Sequence, residues 1–187
     1  MAAVQDKKTL RGLMRARRKA MPAACKSAAD ASISAELVRR LGSADAGGPV
    51  AVYLALPEEI DLSAFILEML GRGVAVVSPR WNGATYELSR IVGLESENLR
   101  RGPMNVLESA VAEIVPPRRV SAWIVPGLAF TIGGKRLGYG GGWYDRLLAD
   151  AAPDALKLGV AYRCQIVDEL PVESHDILLD GIVTEEV

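Results

Sequence analysis

The chain has 187 residues and a mass of 20.0 kDa; 50% of its residues are hydrophobic and 24% are charged, an ordinary globular composition. No apolar run approaches the roughly 18 residues of a membrane-spanning helix, and the basic N-terminus lacks the apolar segment of a signal peptide. Cys25 and Cys164 are far apart in sequence and lack the spacing of metal ligands, so we expect both to be reduced thiols. We therefore expect one cytoplasmic domain over residues 1–187.

The net charge of −1 conceals an uneven distribution. The first 20 residues contain seven lysines and arginines against Asp6 alone, a net charge of +6, which leaves −7 for the remainder. Such a segment favours a polyanion, and the candidates are nucleic acid, a membrane surface or a nucleotide. His175 is the single histidine, which disfavours a Ser-His catalytic site and a metal site with several histidines.

Two helices are predicted at the start of the chain. The first covers residues 7–21, with Asp6 as its N-cap and Pro22 beyond its end. The second runs from residue 23 to residue 41. On the first helix, one face carries Leu10, Leu13 and Met14, and another carries Lys7, Arg11, Arg15 and Arg18. A charged face of this kind is usually solvated, and binding of an anion is the alternative.

A strand, a helix and a second strand follow. Residues 50–54 are suited to a buried parallel strand, and residues 62–70 to a helix capped by Asp61. The second strand covers residues 74–77 and is ended by Pro79. This order predicts a right-handed βαβ crossover. Glu59 lies after the first strand, where an open α/β sheet binds ligands, although a surface carboxylate is an equal alternative.

The remaining strands complete the predicted sheet. Residues 86–92 alternate as an antiparallel or near-edge strand does, and residues 122–125, 157–161 and 181–184 are further strands. The fold class is therefore α/β: a single-domain, three-layer open sheet, mostly parallel, with helices on both faces and Rossmann-like.

A glycine-rich segment follows strand 122–125 and leads into a helix that begins at Trp143. Residues 125–146 read VPGLAFTIGGKRLGYGGGWYDR. Strand, glycine loop and helix together bind phosphate, because glycines let backbone N–H groups approach an anion. The Walker pattern is absent, since Arg136 follows Lys135. The dinucleotide pattern is absent as well, since Trp143 stands where its last glycine belongs. A flexible surface loop is the alternative.

The sequence RLGYGGGWYDR, preceded by VPGLAF, resembles the signature of the 5-formyltetrahydrofolate cyclo-ligases, also called methenyltetrahydrofolate synthetases. The family usually has two tyrosines before the aspartate, where this chain has Trp143 and Tyr144, and often an aspartate where it has Thr131. Further resemblance extends from residue 7 to residue 184. It includes an N-terminal Lys-x-x-x-Arg, the Glu59 segment and residues 102–108.

The resemblance implies an ATP- and Mg²⁺-dependent enzyme that converts 5-formyltetrahydrofolate to 5,10-methenyltetrahydrofolate, ADP and phosphate through a phosphorylated formyl oxygen. The basic helix of residues 1–21 would contribute to the nucleotide site. Asp145 would bind Mg²⁺, and a carboxylate favoured by the helix dipole is its alternative. The implied catalytic residues are Arg136, Tyr144 and Asp145; the nucleotide site comprises Lys7, Arg11, Arg136, Gly138, Tyr139, Gly140, Gly141, Gly142 and Asp145; the folate site comprises Leu54, Glu59, Met104 and Trp143.

Two other functions stay open at this point. A different ATP-dependent phosphoryl transferase could use the same scaffold. Folate binding would then be lost through further departures from the family pattern: Leu62 where threonine is usual, Met104 at an aromatic position, and Ser109 where proline is frequent. A nucleic-acid-binding protein could use the basic helix, although no known nucleic-acid motif accompanies it. The expected partner is a small molecule, 5-formyltetrahydrofolate with or without a polyglutamate tail. We expect a monomer that binds neither nucleic acid nor membrane.

Overall fold

The computed structural model describes residues 6–41, 47–171, 173 and 176–185. None of the helices in these ranges is long and apolar enough to cross a membrane. The helices are α1 (Lys7–Ala20), α2 (Ala23–Leu41), α3 (Ser63–Gly71) and α4 (Trp143–Ala149). The strands are β1 (Val50–Ala51), β2 (Val76–Trp81), β3 (Tyr86–Ile91), β4 (Leu99–Arg101), β5 (Leu107–Ser109), β6 (Ala122–Val125), β7 (Ala129–Phe130), β8 (Arg136–Leu137), β9 (Leu156–Val160) and β10 (Gly181–Val183).

The central sheet has six strands in the order β10-β9-β6-β1-β2-β3. Every neighbouring pair is parallel except β2 and β3, which are antiparallel. The predicted parallel pairing of the first two strands is confirmed, and so is the antiparallel edge strand at residues 86–91. Two short antiparallel pairs, β4 with β5 and β7 with β8, lie outside this sheet.

Helices cover both faces of the sheet. Ile33 and Leu37 of α2 and Phe65 of α3 pack on one face, in a core cluster that includes Val50 and Ile124. The α4 helix packs on the opposite face of the sheet. Its Leu147 and Leu148 contribute to a second cluster, which includes Ala51 of β1, Val77 of β2 and Trp123 of β6. Consecutive strand residues alternate between the two cores, as the period of a strand requires. The predicted three-layer α/β fold is confirmed.

The chain changes direction in the sheet next to β1. From β1 it continues through α3 to β2 on one side, and the later strands β6, β9 and β10 lie on the other side. The carboxyl ends of β1 and β6 therefore lie side by side, and the chain leaves them in opposite directions. Open α/β sheets bind ligands in the crevice at such a point. Two segments border it here: the loop after β1, residues 52–62, and the segment after β6, residues 126–142.

Pro79 does not end the second strand, so that prediction is wrong. The strand continues to Trp81, with Pro79 opposite Leu88 of β3. Val50 N and Val52 N donate to the carbonyls of residues 75 and 77, so the odd-numbered residues of β2 turn their polar groups toward β1. Because β1 ends at Ala51, no strand of the described residues lies beside Pro79 on that side, and its missing N–H costs no ladder bond.

Two details at helices also differ from expectation. Leu62 takes the N-cap position of α3, and Asp61 one residue earlier accepts bonds from the backbone N and the hydroxyl of Ser63 at 2.9 and 2.6 Å. On α1, Leu13 is exposed and the buried stripe is Leu10, Met14 and Arg18. The Asp6 cap is confirmed, because its side chain accepts from Lys8 N and Thr9 N. The α2 boundaries are as predicted.

Candidate active site

The glycine-rich turn, residues 138–142, joins the β7–β8 hairpin to α4. Gly140 and Gly142 have φ angles of 109° and 65°, in the region that favours glycine. Gly142 is also the N-cap of α4. A Cβ on Gly140 would lie 3.5 Å from the central guanidinium carbon of Arg11. That is an ordinary contact distance, so the positive φ angles, and not a lack of space, are the reason for glycine at these positions of the turn.

Helix α1 docks on this turn through its arginines. Arg11 Nε donates to the carbonyl of Gly138 at 3.0 Å. The guanidinium groups of Arg15 and Arg18 lie 5.8 and 5.6 Å from the centre of the Tyr139 ring, which is cation–π distance. The basic face of α1 and the glycine-rich turn thus form one wall of the crevice. Arg11 and Gly138, which make the contact, are 127 residues apart in sequence.

Lys7, at the start of α1, pairs with the C-terminal segment. Its ammonium lies 2.9 Å from a carboxylate oxygen of Glu173 and 3.2 Å from one of Asp176. Burial lowers the pKa of Lys7, but the hydrogen bonds to these two carboxylates outweigh that effect and leave the pKa raised. The side chain is therefore a charged group throughout the neutral range, and it ties α1 to the end of the chain.

Arg136 and Asp145, which the sequence assigns to phosphate and to metal, are partners of each other. Arg136 donates to Asp145 Oδ1 at 2.6 Å, and the two side chains are 6% and 20% exposed. A second guanidinium nitrogen lies 3.4 Å from the carbonyl of Pro126. Within the described residues the Arg136 Nε has no partner. The guanidinium is thus largely buried below the turn with one donor unused, and Asp145 compensates its charge.

Tyr144 lies beside this pair. Its ring centre is 5.8 Å from the guanidinium carbon of Arg136, and its buried hydroxyl has no hydrogen-bond partner among the described residues. Burial raises the pKa of Tyr144 well above its usual value, and the charge of Glu59 adds to the effect. The Tyr144 hydroxyl is therefore neutral, and no described residue accepts its proton.

Glu59 projects from the loop after β1. Its Oε2 accepts from Leu56 N at 2.9 Å, and its Oε1 accepts from the Tyr139 hydroxyl at 2.6 Å. The pKa of Glu59 is raised, because burial outweighs the stabilising hydrogen bonds from Tyr139 and Leu56 and the charge of Arg18. The predicted folate carboxylate thus contacts a residue of the predicted nucleotide turn.

Two buried tyrosines hold the backbone of that loop. Tyr53 donates to the carbonyl of Ile60 at 3.0 Å. Tyr162 donates to Asp30 of α2 at 2.8 Å and lies 3.5 Å from the carbonyl of Glu59. The Tyr53 bond closes the loop on itself, and the Tyr162 hydroxyl, which gives its proton to Asp30, lies against the loop backbone at Glu59.

The other predicted folate residues are placed as follows. Leu54 is buried at 9% exposure, in the core cluster just after β1. Trp143 belongs to an aromatic cluster with Trp81 and Tyr86, in which ring centres lie 5.1 to 5.4 Å apart in edge-to-face geometry. Arg146 stacks on Trp143 at 4.0 Å. The side chain of Met104 lies outside what the structure describes.

An open cleft with a volume of about 520 Å³ adjoins the aromatic cluster at Trp81. Arg80 in this cleft pairs with Glu87 at 3.1 Å, and Arg100 pairs with the fully buried Glu108 at 2.8 Å. The cleft is positively charged in spite of these pairs, because Arg101 is exposed and has no carboxylate partner among the described residues; it donates to the Asn105 carbonyl. It is lined by Arg80, Trp81, Asn82, Gly83, Arg100, Arg101, Gly102 and Pro103.

Asp145 is the carboxylate that lies nearest the turn in sequence. In the ranges that the structure describes, no group of three or more histidine, cysteine, aspartate or glutamate side chains could hold a metal ion. Mg²⁺ in nucleotide sites takes one or two carboxylates and completes its shell with phosphate oxygens and water. A single partly exposed carboxylate beside the glycine-rich turn is compatible with that mode.

Sequence reasoning missed several residues of the site. Arg18 was placed on a charged face without a separate role, yet it is buried beside Tyr139. Its spacing of four residues from Met14 and eight from Leu10 places all three on one stripe of the helix, which is the signal for its burial. The supporting contacts of Tyr162 with Asp30 gave no such signal, because they join elements distant in sequence.

The fold and the site together define an open α/β-sheet protein with a cation-lined, glycine-rich turn at the switch point of its sheet. The chain belongs to the 5-formyltetrahydrofolate cyclo-ligase family, whose model matches residues 3–185. A curated relative, the 5-formyltetrahydrofolate cyclo-ligase of Escherichia coli strain K12, is 33% identical over 141 residues, which are 72% of this chain and 76% of the relative. The predicted family is confirmed.

Solved structures agree with this assignment. The NMR structure of the Aquifex aeolicus 5,10-methenyltetrahydrofolate synthetase has a TM-score of 0.80 and 31% identity, and the match covers 97% of this chain and 90% of that one. A 5,10-methenyltetrahydrofolate synthetase from Mycoplasma pneumoniae has a TM-score of 0.78 and 25% identity, with coverage of 97% and 100%. The likeness therefore extends over nearly the whole fold.

Proposed function

We propose that this chain converts 5-formyltetrahydrofolate to 5,10-methenyltetrahydrofolate, with ATP as the phosphoryl donor and Mg²⁺ as its counter-ion. Family membership supports the folate reaction. The observation that carries the ATP part is the junction of α1 with the glycine-rich turn, where Arg11 meets the carbonyl of Gly138 and Arg136 lies buried below. Backbone N–H groups and cations at one point form a phosphate site.

At the phosphate end, the backbone of residues 138–142 cradles the nucleotide phosphates, and Arg11 and Arg136 neutralise their charge. Lys7 joins them from the start of α1, exchanging part of its pairing with Glu173 and Asp176 for phosphate. When Mg²⁺ is bound, it neutralises charge on the phosphate oxygens, and Asp145 supplies its protein carboxylate.

At the pterin end, Glu59 accepts hydrogen bonds from N–H groups of the bicyclic ring, and Leu54 and Trp143 contribute apolar walls, with Met104 from the neighbouring loop. The support is the fixed position of the Glu59 carboxylate, which two donors hold at 2.6 and 2.9 Å. A carboxylate that is held rigidly and largely desolvated discriminates strongly for a ligand with matching donors.

The reaction then needs little covalent help from the protein. The formyl oxygen attacks the γ-phosphorus, and ADP leaves. A folate nitrogen next attacks the activated formyl carbon, the carbon–oxygen bond breaks with release of phosphate, and the nitrogen loses its proton. Such transfer is catalysed mainly by positioning and charge neutralisation. Arg136 supplies the charge, and the unpartnered hydroxyl of Tyr144 donates to an oxygen of the reacting group.

The arginine-lined cleft supports a further part of the proposal, a substrate with a polyglutamate tail. Arg80, Arg100 and Arg101 line it, and Trp81 connects it to Trp143 of the folate wall. Each added glutamate brings one carboxylate, for which an arginine fork is suited. Arg101→Ala should therefore raise the KM of a polyglutamylated substrate and leave that of the monoglutamate unchanged. An equal change for both substrates would exclude a role in binding the tail.

The proposal extends to the chain as a whole: one catalytic domain, residues 1–187, monomeric, cytoplasmic, and binding neither nucleic acid nor membrane. The docking of α1 supports it, because Arg11, Arg15 and Arg18 all face the glycine-rich turn. Arg18 is buried and Arg11 is half-buried, so these two cations are engaged within the molecule, while Arg15 stays exposed beside the Tyr139 ring. A helix that bound nucleic acid would present them outward.

The decisive experiment follows methenyl absorbance on adding 5-formyltetrahydrofolate to the purified protein, with ATP and Mg²⁺ and with each omitted in turn. We expect ring closure that requires both and releases ADP in equal amount. ADP release without ring closure would indicate a different phosphoryl transferase. Binding of an oligonucleotide that ignores ATP and weakens steeply with salt would favour the nucleic-acid alternative.

A further inference from the structure

Arg18 is a buried cation whose charge needs a compensating partner. It is 2% exposed and lies in the stripe of α1 that packs inward, after Leu10 and Met14. A buried cation is costly unless it is paired and hydrogen-bonded. Its ion-pair partner is Glu58, at a long 3.3 Å and with a half-exposed side chain, and its Nε has no partner within the described residues. Glu58 alone does not account for placing a guanidinium here.

The shorter contact of Arg18 leads to the folate side. Its second terminal nitrogen donates to the Tyr139 hydroxyl at 3.0 Å, and that hydroxyl donates to Glu59 Oε1 at 2.6 Å. The phenol oxygen thus accepts from a cation and donates to a carboxylate. A hydroxyl group that is polarised in this way makes a stronger bond to its acceptor.

We propose that Arg18 is a positioning residue, which holds the Glu59 carboxylate for the folate ring through the Tyr139 hydroxyl. The inference rests on the proposed function of the Glu59 site and adds a residue to it. Since Tyr139 is part of the glycine-rich turn and Arg18 part of α1, this three-residue relay also joins the nucleotide side of the crevice to the folate side.

The charges around Glu59 support this role. The tyrosines stay neutral over the working range, because burial raises the pKa of Tyr53, Tyr139, Tyr144 and Tyr162 well above its usual value. Arg18 lowers the pKa of Glu59, and Glu58 raises it. Arg18 is therefore the cation that opposes the cost of burying the ionised carboxylate. The groups that face or perturb Glu59 are Arg18 of α1, Glu58 of its own loop, Tyr53 after β1, Tyr139 of the turn, Tyr144 of α4 and Tyr162 after β9.

The first test needs no substrate. The titration of the Glu59 carboxyl group is followed by carbon NMR in the free protein, in the wild type and in Arg18→Met, which keeps an apolar stem and removes the charge. Arg17→Met is the matched control, since it removes an exposed charge one residue away on the same helix. We expect the titration midpoint to rise in Arg18→Met and to stay in place in Arg17→Met. Equal midpoints in all three proteins would overturn the proposal.

The second test measures the consequence for binding. Arg18→Met should raise the KM for 5-formyltetrahydrofolate about tenfold, the loss expected for one charge-assisted contact, with little change in the KM for ATP. Arg18→Lys should recover part of this loss. A merely structural Arg18 would instead lower the melting temperature and leave the ratio of the two KM values unchanged.

If Arg18→Met does not fold, Tyr139→Phe interrupts the same relay and leaves Arg18 in place. It should raise the Glu59 midpoint as well, because the hydroxyl bond to the carboxylate is lost. An unchanged midpoint in Tyr139→Phe would contradict the relay. The titration is independent of catalysis, so failure of the proposed reaction in the wild type and failure of the relay give different results.

Discussion

The turn after β6 and the loop after β1 border the same crevice, but different contacts hold them. In the turn, backbone curvature comes from glycine, and the nearby charges, such as Arg136 with Asp145, are paired with one another. In the loop, a hydrogen bond from the buried Tyr53 hydroxyl fixes the backbone, and donors from Tyr139 and Leu56 hold the Glu59 carboxylate. An anionic ligand can exchange with the first kind of contact, whereas the second presents a preset shape. The turn should therefore control turnover, and the loop should control folate affinity.

The comparison is tested most severely at Arg136. Arg136→Ala should lower kcat by about 10²–10³-fold, because it removes a cation from the site of charge development. Arg136→Lys should recover only part of the rate, since lysine lacks the two-pronged donor geometry. Steady-state kinetics gives both values.

Asp145→Asn is the matched control, since it breaks the same ion pair from the other side. If Arg136 served only to pair with Asp145, both variants would lose the same rate and the same melting temperature. We expect Arg136→Ala to lose far more rate.

The loop is tested next at Glu59. Glu59→Gln keeps the size of the side chain and removes its charge, so it should raise the KM for folate about 10- to 100-fold through loss of charged hydrogen bonds. The KM for ATP should change little. Comparable increases for both substrates would remove the distinction between the two regions.

A smaller effect is expected for Mg²⁺. Asp145→Asn should raise the Mg²⁺ concentration for half-maximal rate about tenfold, the lower end of the loss seen when a metal site is perturbed. Titration of the rate with Mg²⁺ at saturating ATP measures it. An unchanged half-maximal concentration would place the protein ligand elsewhere.

The smallest effect concerns pH. Because burial raises the pKa of Glu59, folate binding should weaken as the pH falls through a value above the ordinary range of a glutamate, about 4.3. The acidic limb of kcat/KM for folate should disappear in Glu59→Gln. The effect on the free energy of unfolding has the opposite sign. The raised pKa of Glu59 stabilises the fold at low pH, and this stabilisation is lost as the pH rises through the pKa of Glu59 in the folded protein. An acidic limb that persists in Glu59→Gln would belong to another group.

Much of the fold could be predicted from local pattern. The α2 helix has its predicted bounds, and β6 is the apolar run Ala122–Val125. Both depend on periodicity within one segment, which a sequence displays directly. The strand through Pro79 could not be predicted in this way. Whether a proline is tolerated depends on which neighbouring strand faces its nitrogen, and that neighbour, β1, is separated from it by α3.

The candidate site shows the same division. The motif of the turn indicated its residues, since they are consecutive from Arg136 to Asp145. The sequence does not show the pairing of Arg136 with Asp145. Its motif indicates a phosphate ligand for Arg136 and a metal for Asp145, and their contact depends on how the turn folds. The burial of Arg18 is not evident from the sequence, because a helix segment with six other basic residues and few apolar ones has the composition of a solvated helix.

The short first strand has a consequence for association between molecules. Beyond Ala51 the inner edge of β2 lacks a strand partner, and an unpaired edge is the place where a stray extended peptide adds itself to a sheet. Pro79 removes a donor from that edge and so interrupts the ladder that such a peptide would need. β1 can therefore end early, at Ala51, without leaving on β2 a continuous ladder for another chain.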